Sequence, residues 1–151
     1  MCSSDLTARR LRQREMTIAL EILPGVHEWR RDAAARSVRL GVASSSSREW
    51  VTGHLERLGL DGWDCVRCGS DVVRTKPAPD LYLSVLECLG VAPRDAVAVE
   101  DSSVGVQAAK AAGMYCVAVP SSLTGGHDFS RADLVVGSLA EVPFAEVAAR
   151  V

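Results

Sequence analysis

The chain has 151 residues, 48% hydrophobic and 24% charged, with a net charge of −2. That length and balance fit one globular domain with a buried core, and the weak net charge with no basic run argues against nucleic acid or an anionic membrane surface as partner. No apolar stretch approaches membrane-spanning length and the start has no signal-peptide-like core, so a cytoplasmic location is expected.

Residues 1–6, MCSSDL, match nothing that follows. One permitted back-translation of CSSDL, TGCTCTTCCGATCT, looks like the end of a short-read sequencing adapter, so these residues are expected to be non-native and the true chain to begin further upstream. From Thr7 to Leu23 the pattern is helical, with Leu6, Leu11, Ile18 and Ile22 roughly on one side, until Pro24 and Gly25 stop it. Val26 to Arg36 reads as a second, polar helix, and Val38 to Ala43 as a buried strand. Ser44, Ser45, Ser46 and Ser47 come next, ahead of a helix from about Arg48 to Leu58 with Trp50, Val51, His54, Leu55 and Leu58 on one face. Hydroxyls and free N–H groups at a strand-to-helix turn make an anion site, because a helix N-terminus is partly positive. The same run also reads as a flexible loop or cap, and the residues alone leave both open.

A short strand is predicted over Asp64 to Arg67, overlapping the pair Cys65-x-x-Cys68. This pair has neither the helix N-terminus that redox chemistry needs nor a second ligand pair for zinc. With Cys2, Cys88 and Cys116 the cysteine count is five, and reduced, mostly buried thiols are expected.

Thr75-Lys76-Pro77-Ala78-Pro79-Asp80 follows: Pro77 holds Lys76 extended, and Pro79 with Asp80 opens a helix through Leu81, Val85, Leu86 and Leu89 to Gly90. Against 15 arginines there are two lysines, Lys76 and Lys110. A compact ammonium ahead of a helix is either a point charge for phosphate or carboxylate, or an ordinary surface lysine.

The stretch from Ala96 to Gly113 carries the densest chemistry. Ala96 to Val99 is a continuous apolar run, expected to be a strand buried on both faces. Ser102 and Ser103 offer caps for a helix through Val104, Ala108 and Ala111 to Gly113. Glu100 and Asp101 therefore sit at the carboxyl end of a strand, where open α/β sheets bind ligands, and adjacent carboxylates there call for a proton or a cation such as Mg²⁺. Strands are predicted at Tyr115 to Val119 and Asp133 to Val136, and a last helix from Ser138 to Ala149. The three histidines show no ligand spacing.

Ser44, Lys76 and the Glu100-Asp101 pair thus end successive strand-to-helix units on one edge of a sheet, a place for a phosphate and a divalent cation. PGV at 24–26, GVASSSS at 41–47, KPAPDLYL at 76–83 and VEDSSVGVQAAKAAGM at 99–114 resemble, in order and spacing, the haloacid dehalogenase-like superfamily, in particular its β-phosphoglucomutase and sugar-phosphate phosphatase branch. The resemblance implies an α/β fold, a Rossmann-like parallel sheet with helices on both faces, and Mg²⁺-dependent phosphatase or phosphomutase chemistry on a small phosphorylated metabolite such as a sugar phosphate. It implies that Ser44, with the Ser45 backbone N–H, binds the transferring phosphoryl group. Lys76 neutralises phosphate and nucleophile, Asp101 binds Mg²⁺ directly, and Glu100 assists through a water or as a further ligand.

One departure stands out. Members of the family begin with a strand ending in Asp-x-Asp, which supplies the nucleophile, and this chain contains no Asp-x-Asp. The resemblance puts that strand at the sheet centre, between the strands ending at Ala43 and Glu100. Its absence leaves two strand edges to pair with each other or stay open. Residues 7–25 are then the remnant of a helical cap and 26–151 a core without its first strand. The polypeptide as given is expected to be inactive, since no aspartyl-phosphate can form. A stand-alone pseudoenzyme that binds a phosphorylated metabolite or a protein is the alternative, and a third possibility is an Asp-x-Asp strand supplied by another chain.

Overall fold

A computed structural model gives the structure of the protein and describes residues 21–151. The expected non-native segment 1–6 and nearly all of the expected helix over 7–23 lie outside the described residues, and residues 21–23 are irregular.

Helix α1 spans Val26–Ala35, strand β1 Gly41–Ala43, α2 Arg48–Arg57, β2 Cys65–Arg67 and α3 Asp80–Leu89. They are followed by β3 Val97–Glu100, α4 Ser103–Ala111, β4 Tyr115–Ala118, β5 Leu134–Val135 and α5 Phe144–Ala148. Serine caps start two of these helices: Ser102 Oγ accepts from Gly105 N at 3.2 Å, as the sequence predicts, and Ser47 Oγ accepts from Trp50 N at 3.3 Å, a cap being one of the readings left open for the serine run.

All pairing is parallel. β1 pairs with β2 (Val42 opposite Val66), β3 with β4 (Val99 opposite Val117), and β4 with β5 (Ala118 opposite Val135). Among the described residues the strands form two sheets, β1-β2 and β3-β4-β5, and no ladder joins β1 to β3. Of the two outcomes expected for those edges, pairing with each other or staying open, the described residues show no pairing between them. On one face of β3 and β4, Tyr82 and Leu86 of α3 and Val106, Ala108 and Ala109 of α4 pack on Ala98, Cys116 and Ala118, with Ala43 of β1 at the margin. On the other, Trp29 and Ala33 of α1 and Phe144 and Val147 of α5 pack on Val117 and Val119. Helices therefore cover both faces of a parallel sheet, the α/β class that the sequence predicts.

Four expectations need correcting. β3 is not buried on both faces: Ala98 and Glu100 lie under the helices at 3% and 7% exposure, while Val99 is 43% exposed. The opposite face is covered at Val97 but not at Val99, beside the unpaired edge. The strand predicted from Val38 starts only at Gly41, because Val38 N bonds back to Ala33 O at the end of α1 and Leu40 N donates to the Asp64 carboxylate at 2.7 Å. The last helix is split into a 3₁₀ turn at Leu139–Glu141 and α5. Pro143 has no N–H and pushes Val142 into extended backbone, which ends the helical run.

The cysteines are the fourth. Cys65 of β2 and Cys88 in the last turn of α3 form a disulfide, with Cα atoms 6.3 Å apart, where reduced thiols were expected. The two meet because α3 packs along β1 and β2. Cys68 and Cys116 are free and buried, and burial, reinforced by the Glu100 carboxylate, pushes the Cys116 thiol up to about 12.

Candidate active site

The loop that leaves β1 carries the serines. Ser44 N donates to Arg67 O of β2 at 3.0 Å, and Ser44 Oγ accepts from Ser46 N at 3.2 Å, so the hydroxyl turns back over its own loop. The 3₁₀ turn after β2 supports the loop from below: Gly69 N donates to Ser46 O at 3.0 Å, and a Cβ at Gly69 would come within 2.5 Å of Ser45 O. A side chain there would push the serine loop away. Arg48 and Cys68 N hold Asp71 of the same turn, with Arg48 Nη2 2.6 Å and Cys68 N 2.7 Å from Oδ2. The Cys68 N–H and then the Arg48 guanidinium keep this carboxyl below the usual range.

The second loop presents Lys76. Arg74 makes a two-pronged contact with Asp80 in the first turn of α3, at 3.1 and 2.8 Å, and this staples the loop to its helix. Lys76 N donates to Ser45 Oγ at 3.3 Å, and the Lys76–Pro77 peptide is cis. The lysine side chain is not a surface group. It is 15% exposed and its ammonium pairs with Glu100 Oε1.

Glu100 ends β3 and is the buried charged residue of the described core. Its Oε1 accepts from both Lys76 Nζ and the Tyr82 hydroxyl, and Lys76 Nζ lies 5.0 Å from the centroid of the Tyr82 ring. Burial, and then the Glu100 carboxylate, push the Tyr82 phenol far above its ordinary range, so the hydroxyl acts as a donor. On its other side the carboxylate lies against Gly105 in the first turn of α4, where a Cβ would overlap it. Asp101, the next residue, is exposed.

Ser45, Lys76 and Glu100 are thus linked by contact at the carboxyl ends of β1 and β3, with Ser44 and Asp101 adjacent in the chain to two of them. Tyr82 and Gly105 are site residues that the sequence reading passed over. Tyr82 carries a local signal, since it lies three and four residues before Val85 and Leu86 on the buried face of α3. Gly105 carries none beyond being a glycine in a helix.

Among the described residues no group of three or more His, Cys, Asp or Glu side chains converges into a metal cage. The donors present are hard carboxylate oxygens, one of them exposed. That suits Mg²⁺, which keeps much of its water and takes one or two carboxylates together with substrate phosphate.

Residues 5–119 match the profile of the haloacid dehalogenase-like hydrolase family, and the chain belongs to that family. It is similar to YhcW of Bacillus subtilis, 42% identical over 123 residues, a match that spans 81% of this chain and 56% of the relative. It is also similar to a phosphorylated carbohydrates phosphatase of Thermotoga maritima, 34% identical over 92% of this chain and 65% of the relative. Among solved structures, a mutant of CbbY from Rhodobacter sphaeroides in complex with xylulose-(1,5)bisphosphate superposes with a TM-score of 0.80 at 30% identity, covering 91% of this chain and 64% of that one. The chain therefore spans between half and two thirds of the length of these relatives. No described helix is long and apolar enough to cross a membrane.

Proposed function

We propose that this chain carries the phosphate- and Mg²⁺-binding half of a phosphatase or phosphomutase site for a small phosphorylated metabolite, a sugar phosphate in the first instance. The reaction would pass through an aspartyl-phosphate whose nucleophile is not among these 151 residues. The observation that carries the reading is the contact chain from Ser45 through Lys76 to Glu100 at one edge of the fold. Hydroxyl, ammonium and carboxylate meet there beside the Ser44 hydroxyl and the exposed Asp101.

In this reading Ser44 and the Ser45 N–H hold phosphoryl oxygens, and Lys76 neutralises their charge. Asp101, with help from Glu100, holds Mg²⁺, which when bound supplies further positive charge to the transferring group. The relatives support the substrate class, one by its name and one by the bisphosphate in its complex. A cytoplasmic setting belongs to the same proposal, and there the Cys65–Cys88 bond would be exposed to reductants.

Binding and turnover measured side by side test the proposal. The purified chain is expected to bind inorganic phosphate in the presence of Mg²⁺, with affinity reduced about tenfold in Ser44→Ala, the loss of about one charge-assisted hydrogen bond, and reduced also in Asp101→Asn, which takes a carboxylate from the metal. It is expected to release no phosphate from sugar monophosphates. Binding unaffected by either substitution would remove the site assignment, and Mg²⁺-dependent turnover would remove the missing nucleophile. The second reading, a nucleophile strand supplied by another chain, is favoured by the edges of β1 and β3 that carry no ladder among the described residues, and co-purification of a small Asp-x-Asp protein would support it.

A further inference from the structure

A lysine side chain has four rotatable bonds, and one ion pair does not fix it. At Lys76 a second element does. Tyr82 lies on the buried side of α3, 7% exposed, and its hydroxyl donates to the same Glu100 oxygen that accepts from Lys76. Its ring face lies under the ammonium, 5.0 Å from centroid to Nζ. With two donors on Oε1 and the Gly105 backbone against the carboxylate's other side, neither Glu100 nor Lys76 keeps much rotational freedom. The Arg74–Asp80 fork makes the Lys76 loop and α3 one unit, whereas Glu100 belongs to the other sheet.

We propose that Tyr82 is a positioning residue: its hydroxyl and ring hold Glu100 and the Lys76 ammonium in one geometry, so that Glu100 serves as the counter-charge of Lys76 and Asp101 is the carboxylate free to bind a metal directly, with Glu100 assisting through a water. The inference deepens the phosphate-site reading and rests on it for what Lys76 does, though not for how Lys76 is held. If Tyr82 only filled core space, phenylalanine would serve as well and Lys76 would not respond to the change.

The composition allows a clean test, because the chain has two lysines and two tyrosines. Nitrogen-15 labelling of lysine gives two ammonium resonances, Lys76 and Lys110. Lys110 is an internal reference, held by Asp133 Oδ2 at 2.6 Å and Met114 O at 3.0 Å, partners it does not share with Tyr82. In Tyr82→Phe, exchange of the Lys76 ammonium protons with water is expected to rise about tenfold, the factor set by one charge-assisted hydrogen bond, with Lys110 unchanged. A folded Tyr82→Phe protein with Lys76 exchange as in the wild type overturns the proposal. Should that variant not fold, the wild type decides: a slowly exchanging Tyr82 hydroxyl proton with a nuclear Overhauser contact to the Lys76 ε-protons supports it, and absence of that contact overturns it. Neither readout uses phosphate, Mg²⁺ or turnover, so the phosphate-site reading can fail in its own assay while this one stands, and the reverse.

Discussion

Opening the Cys65–Cys88 disulfide should cost the protein a calculable part of its stability. The bond closes a sequence separation of 23 residues. A cross-link over that span removes loop-closure entropy from the unfolded chain worth about 3 kcal/mol at room temperature in the chain-entropy account. For a chain of this length, that corresponds to a fall of about 6 to 12 °C in Tm. The substitution to make is Cys88→Ser. Cys88 is exposed, whereas Cys65 is 4% exposed and a hydroxyl there would enter the core. Thermal unfolding by circular dichroism, with and without a phosphine reductant, should give a lower Tm for the reduced wild type and a matching Tm for Cys88→Ser in either condition. Thiol counting under denaturing conditions confirms that the bond has opened. If the bond is open and Tm moves by less than about 1 °C, α3 does not depend on its covalent tie to β2, and the entropic argument fails for this fold.

Two further outcomes follow from the packing around the site. Gly105→Ala should destabilise the protein by about 1 to 3 kcal/mol in urea titration, because the overlap with the Glu100 carboxylate outweighs the better helix propensity of alanine; a net gain would show that the carboxylate has room to move. Asp133 accepts from Cys116 N at 2.7 Å and Lys110 Nζ at 2.6 Å. Burial raises this carboxyl, but the Lys110 and Cys116 hydrogen bonds hold it below its ordinary value on balance. A depressed carboxylate contributes stability that is complete above its unfolded-state value, near pH 4, and is lost as pH falls through the lower folded value. Asp133→Asn should therefore be less stable than wild type at pH 7, and the gap should narrow below about pH 4 in an acid titration followed by fluorescence. A gap that is constant from pH 7 to pH 2 would mean that the charge of Asp133 plays no part.

Much of the fold is local in origin and could be read from the chain. The serine caps of α2 and α4, the start of α3 just after Pro79 and the apolar strands each follow from residues within a few positions of one another. The break at Pro143 is local as well, but the periodicity of Leu139, Val142 and Val147 masks it. What could not be read depends on how α3 lies against both sheets. That packing brings Cys88 to Cys65 and aims Tyr82 at Glu100, and no spacing within α3 or β2 encodes either meeting. The burial of Lys76 belongs to the same group. A surface position was one of its two readings, and it proves part-buried because its partner comes from β3, 24 residues on.

The position of α3 also explains why chemistry and stability are hard to separate in this protein. No strand ladder joins the two sheets among the described residues, so their junction depends on other contacts. Ala43 packs at the margin of the cluster under α3 and α4, Ser45 accepts from Lys76 N, and Lys76 and Tyr82 both reach Glu100. Ammonium, phenol and carboxylate thus span the same seam as the proposed phosphate site. Removing one member of a buried ion pair strands the other charge and typically costs about 3 to 5 kcal/mol. A substitution at Lys76 or Glu100 should therefore loosen the seam as well as empty the site, and loss of ligand binding in either variant cannot by itself be read as loss of a ligand contact. Ser44→Ala avoids this difficulty, because it removes a single hydroxyl that reaches neither Lys76 nor Glu100 and leaves that pair, with Tyr82, in place.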